Sequence, residues 1–170
     1  MENTNFCAMY REDRNESEYS RVLKYAHSLF SYIQLPEVSD RVAHANQKGT
    51  SSAAIQACFL EHVLKLGFHS EKQGLFATHL LRPDYYLQLS PNRGILLEVE
   101  KGKTLTNNMD ILDLWKCHIC DHAQYLFLAV PIYAQNAGSR NVFDNVVKRM
   151  QPFFSKENYV GVYGVFIFGY

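Results

Sequence analysis

The chain of 170 residues is 47% hydrophobic and 20% charged, the size of one globular domain with material for a buried core. Seventeen basic side chains balance seventeen acidic ones, which excludes the strongly basic kind of nucleic-acid binder. No apolar run approaches the roughly 18 residues of a membrane-spanning helix, and the polar start from Met1 to Ser20 lacks a signal-peptide centre.

Four scattered cysteines, Cys7, Cys58, Cys117 and Cys120, make no disulfide framework, so a reduced, cytoplasmic protein is expected. Met1 to about Glu16 is polar and lacks apolar rhythm, which predicts a mobile arm (1–16) ahead of one domain over residues 17–170. Apolar residues at Tyr19, Val22, Leu23, Ala26, Leu29, Phe30 and Ile33 keep the three-and-four spacing of a helix face, with Pro36 just past its end. Glu37 to Gly49 reads as polar linker. Thr50, Ser51 and Ser52 offer N-cap oxygens to a second helix, with Ala54, Ala57, Cys58, Val63 and Leu64 as its buried stripe, Glu61 beside that stripe and Gly67 as its stop.

Gly74 to His79 has the composition of a short strand. Arg82–Leu89 and Ile95–Lys101 are rich in strand formers, and SPNRG between them is turn chemistry, so a hairpin is expected. Thr106, Asn107 and Asn108 cap a third helix whose apolar positions Ile111, Leu112, Leu114, Trp115 and Ile119 cover more than one face, predicting a well-buried helix. Gln124–Ile132 is a continuous apolar run suited to a sheet interior, Asn141–Phe153 a helix, and Tyr159–Phe168 a closing strand. This order predicts an α/β fold with a mixed central sheet and helices packed on both faces.

The chemistry concentrates in the hairpin. If residues 90–94 form the loop and Leu89 pairs with Ile95, Asp84 lies opposite Glu100 and Tyr86 opposite Glu98. Strand alternation then gathers Asp84, Glu98 and Glu100 on one face. Two carboxylates at 4 Å repel by about 4 kcal/mol at an effective dielectric near 20, so such a cluster is poor for stability and suited to a hard divalent cation. The bland alternative is an exposed strand face whose acids pair with Lys101 or Arg82.

Pro83-Asp84, thirteen intervening residues, and Glu98-Val99-Glu100 on a strand followed by a helix resemble the core motif of the PD-(D/E)xK nuclease superfamily, which includes type II restriction endonucleases. The predicted order from about Ser51 to Ile132 resembles that family's core. The resemblance implies a restriction-endonuclease-like fold and Mg²⁺-dependent hydrolysis of DNA phosphodiester bonds, with Mn²⁺ as a substitute. It makes Asp84 and Glu98 metal ligands, with the Val99 carbonyl a further one and Glu61 resembling the helix glutamate that many members add. The family's lysine position falls on Glu100, an ExE variant, where an acid can ligate metal or activate water. Lys103 could then supply the missing cation, whereas alternation aims Lys101 at the opposite face. Double-strand cleavage by this family suggests a homodimer.

Other constellations are weaker. Cys117-His118-Ile119-Cys120-Asp121-His122 has the CxxC spacing of a zinc site, with Cys7, His69 or His79 as conceivable partners; the bland reading packs both thiols at a helix end. Lys101-Gly102-Lys103-Thr104 looks like the end of a P-loop, but the required first glycine falls on Leu97, which rejects it. Asn107, Asn108, Asp110 and Asp113 are explained by capping and solvation, while Lys116, Arg82 and Arg93 are candidate contacts to a nucleic-acid backbone. Two rival functions remain: a non-catalytic DNA- or protein-binding module on the same fold, and an interaction protein stabilised by zinc at Cys117 and Cys120.

Overall fold

The computed structural model of the chain describes residues 5–70, 81–134 and 141–170; the strand expected at Gly74–His79 lies outside the described residues. In chain order the elements are β1 (Phe6–Tyr10), α1 (Glu16–Ile33), α2 (Pro36–Ala45), α3 (Ser52–Lys65), β2 (His69–Ser70), β3 (Tyr85–Ser90), β4 (Arg93–Val99), α4 (Met109–Ile119), β5 (Tyr125–Val130), α5 (Val142–Met150) and β6 (Gly164–Gly169).

Uninterrupted apolar strands need cover on both faces, and YLFLAV of β5 and GVFIFG of β6 are buried at every position. They lie inside a single six-stranded sheet of order β1-β6-β5-β4-β3-β2. Strands β4, β5 and β6 run parallel, and β1, β3 and β2 join antiparallel. Side chains from α1, α2 and α3, among them Val22, Leu29, Val38 and Phe59, pack on the face that carries Leu97, Phe127 and Phe166. Helices α4 and α5 cover the opposite face, with Leu114, Val146 and Met150 against Leu96, Leu126 and Ile167. The fold is thus mixed α/β, a central sheet flanked by helices. Among the described residues no helix is long and apolar enough to cross a membrane.

Several segments depart from the sequence reading. The expected mobile arm contains β1, which pairs antiparallel with β6 from Phe6↔Phe168 to Tyr10↔Gly164. Its hydrogen-bond partners are far away in sequence, and five apolar residues without alternation, inside a polar stretch, are too short a signal to stand alone. The expected linker holds α2, for which Pro36 is the first residue and not a stop, because its fixed φ and missing N–H suit a helix start. Helix α3 buries Ile55, Phe59 and Val63, while Ala57 and Leu64 of the expected stripe are exposed.

Helix α4 is less buried than expected, and its buried face is Asp110, Asp113, Leu114 and Cys117. Leu112, Trp115 and Ile119 are 54%, 56% and 51% exposed, whereas Asp110 and Asp113 are buried. These acids face inward, and Asp113 helps to build the site described below.

The hairpin that carries the acids closes through Pro91 and Asn92, with Asn92 in the left-handed region at φ 58°. Gly94, just beyond, is needed for space: an added Cβ would meet the Tyr86 ring, Leu87 O at 2.6 Å and His122 O at 2.8 Å. Gly94→Ala is therefore expected to lower the free energy of unfolding by about 1–3 kcal/mol, read as a reduced urea midpoint. An unchanged midpoint would contradict this packing.

Candidate active site

The hairpin register brings Asp84 and Glu98 closer than expected. Tyr85 pairs with Leu97 and Leu87 with Ile95, so the residue opposite Asp84 is Glu98; the anticipated pairing of Leu89 with Ile95 is off by two residues. A shift of two preserves the face of every side chain, so Asp84, Glu98 and Glu100 still share the side covered by α4. An irregularity between Gln88 and Ser90 and the tight turn account for the difference.

The acids line a cleft of 340 Å³ together with Gln56 and Ser52 of α3, Arg82, Lys103, and Asp113 and Lys116 of α4. Asp84 accepts hydrogen bonds from Gln56 Nε2 at 2.6 Å and from the Val99 N–H at 2.8 Å. Glu98 Oε2 accepts the Asp84 N–H at 3.3 Å, and Glu98 Oε1 receives the Lys116 ammonium at 2.6 Å. Lys116 also reaches Asp113 Oδ1 at 3.1 Å, while Asp113 Oδ2 is buried without a protein donor. The Tyr170 hydroxyl donates to the Glu100 carbonyl and fixes the backbone there.

Burial sets the electrostatics. It pushes Asp84 up to about 6, against the Val99 N–H and Lys116, which favour the anion. Burial and then the charge of Asp113 push Glu100 up to about 8, and the two carboxyls lie close enough to share a hydrogen bond. Glu98 is held well above the carboxylate range by burial and by Asp113. Asp113 is raised too, chiefly by burial. Burial works against the Lys116 ammonium, but Glu98 and Asp113 outweigh it and keep the charge in place.

Among the described residues, no group of three or more His, Cys, Asp or Glu side chains is arranged to hold a metal ion as it stands. The Lys116 ammonium lies between two of the acids. The donor set itself, carboxylate oxygens with one lacking any donor, fits a hard divalent cation.

The other expected site residues divide. Arg82 and Lys103 line the cleft, as does Lys116, which is closer to the acids than expected. Glu61 does not reach the cleft; it is exposed and pairs with Lys65 at 2.7 Å. Gln56, on a different face of the same helix, makes the contact to Asp84 instead. Arg93 is committed elsewhere: Nε and Nη2 each bind Glu18 at 2.7 Å, and the guanidinium lies 4.9 Å from the Tyr163 ring, tying the hairpin to α1. Lys101 also lines the cleft, but its ammonium is engaged away from the acids by the Ala45, Gln47 and Thr50 carbonyls.

Cys117 is fully buried in the α4 and α5 core, where it packs as a small apolar side chain, and burial raises its thiol well above the usual value. His118 Nδ1 accepts the Gly161 N–H at 2.7 Å. Gln56 and Asp113 are the site residues that sequence reasoning missed. For Asp113 a signal existed: it stands three residues before Lys116, a spacing that puts both on one helix face.

Comparison of the chain with known protein families, curated proteins and solved structures finds no significant match.

The raised carboxyls make a sign-definite prediction. Asp84 and Glu100 in the folded protein keep protons that the unfolded chain has already released, so stability is greatest below the ordinary carboxylate pKa. It is lost as pH rises through about 6 and then about 8. In buffer free of divalent cations the melting temperature is expected to fall from about pH 5 to about pH 8.5. Glu100→Gln should flatten the upper part of that fall, and a melting temperature that rises across the range would contradict the assignment.

Proposed function

We propose that this chain is a cytoplasmic, divalent-metal-dependent nuclease that hydrolyses DNA phosphodiester bonds, built on the PD-(D/E)xK plan that its motif resembles. One observation carries the reading: Asp84, Glu98, Glu100 and Asp113 converge with a helix-borne lysine in one open cleft. Burying Glu98 and Asp113 beside the half-buried Asp84 and Glu100 is costly for stability and suits a site that handles cations. Asp84, Glu98 and Glu100 would hold Mg²⁺ or Mn²⁺. Such an ion, when bound, polarises the phosphate and acidifies a coordinated water.

The remaining work falls to the protein's own groups. Glu100 either joins Asp84 and Glu98 on the ion or, once deprotonated, takes the proton of an attacking water. Lys116 supplies from α4 the ammonium that the ExE motif lacks on its strand. Arg82 and Lys103 at the cleft hold the phosphodiester backbone without reading sequence. Among the described residues these acids form a single cluster, so scission of both strands would call on two copies.

A second reading, a non-catalytic module on the same fold, is favoured by the hydrogen bonds that already occupy both oxygens of Asp84. Incubation with supercoiled plasmid and Mg²⁺ or Mn²⁺ separates the two. Wild type should nick the plasmid, and Asp84→Asn should nick at least roughly 100-fold more slowly, beyond what loss of an outer-shell partner costs. Glu61→Ala should match wild type. Equal nicking by wild type and Asp84→Asn would reject the site, and no nicking by either would favour the non-catalytic module.

A further inference from the structure

The least expected feature of the cleft is the helix above it. Helix α4 leaves three large apolar side chains in solvent while it buries Asp113 beside Leu114 and Cys117 and brings Lys116 to the cleft. Asp113 is 1% exposed, and its two oxygens differ sharply. Oδ1 meets the Lys116 ammonium at 3.1 Å, while Oδ2 has no hydrogen-bond partner, and the Glu100 carboxyl lies within reach of Asp113. Two carboxyl groups in contact, one buried and one half-buried, need a proton or a cation between them. Lys116 meanwhile bridges Glu98 on β4 and Asp113 on α4, a monovalent cation held by acids from two different elements.

We propose that Asp113 is a ligand of the divalent cation and that Lys116 is a resident counter-cation which the ion displaces, freeing its ammonium for a phosphate oxygen. The inference rests on the metal-dependent reading above and deepens it, since it assigns a ligand from the helix and couples metal entry to movement of the lysine. Metal-free protein keeps its acids compensated by the ammonium and by protons. A divalent ion seated between Glu98 and Asp113 supplies the undonated Oδ2 with a partner and takes over the charge compensation. Lys116 is 22% exposed at its side chain, on the open side of the cleft, so its flexible stem has room to swing toward solvent without movement of α4.

The test is Mn²⁺ binding by titration calorimetry without DNA, so that it is independent of cleavage. Lys116→Met and Lys116→Gln should each bind Mn²⁺ at least roughly tenfold more tightly than wild type, because the ion no longer competes with a charged hydrogen bond. Asp113→Asn should bind roughly tenfold or more weakly. Lysine variants that bind no tighter, or Asp113→Asn that binds like wild type, would overturn the proposal. Should the neutral variants fail to fold, wild type itself still decides. With ¹³C-labelled lysine, the Lys116 side-chain resonance, identified by its loss in Lys116→Arg, should shift on saturation with Mg²⁺. A resonance that stays in place while Mg²⁺ binds, or absence of any binding, would refute the exchange. Exchange without plasmid nicking would sink only the nuclease reading; Asp84-dependent nicking with indifferent Lys116 and Asp113 variants would sink only this one.

Discussion

The Lys116 ammonium, 2.6 Å from Glu98 and 3.1 Å from Asp113, is the contact on which the cleft depends. Removing one partner from a buried ion pair leaves a charge in low dielectric and typically costs about 3–5 kcal/mol, whereas keeping the pair is close to neutral. The pair therefore explains how the cleft tolerates its acids and not why the molecule has them. Protons complete the compensation, since burial raises Asp84, Glu98, Glu100 and Asp113 together.

The architecture around that contact delivers the two halves from different directions. Glu98 sits near the end of β4, in a stretch of sheet that pairs in parallel with β5 and is buried on both faces, so its position is rigid. Asp84 is anchored from three sides: Gln56 of α3, the Val99 N–H and the hairpin register. Asp113 and Lys116 arrive on α4, whose start is tied to α5 by Arg149, at 3.2 Å from Asp110 and 2.7 Å from Asn108 Oδ1. Such independent anchoring is what a preorganised site requires. Arg93 belongs to that scaffold: its pairing with Glu18 fixes the hairpin from the helical side, away from the cleft.

Side-chain direction in a strand has period two, so the hairpin acids share a face whether Leu89 or, as observed, Leu87 pairs with Ile95. Glu61 and Gln56 show the opposite case. They are five residues apart on one helix, and only the packing of α3 against the sheet decides which of them looks toward Asp84. Helix α4 buries Leu114 and leaves Leu112, Trp115 and Ile119 exposed; its apolar residues cover more than one face, so composition could not say which face would be buried.

The amino-acid sequence alone determined the α/β class, the buried central strands, the hairpin and the common face of Asp84, Glu98 and Glu100, since all of these follow from local periodicity and turn chemistry. Tertiary structure decided that Phe6–Tyr10 is an edge strand, that Glu61 and Arg93 lie outside the cleft, and that Asp113, Lys116 and Gln56 lie within it. Those outcomes depend on partners tens of residues away, and no local pattern encodes which of two helix faces a distant strand will cover.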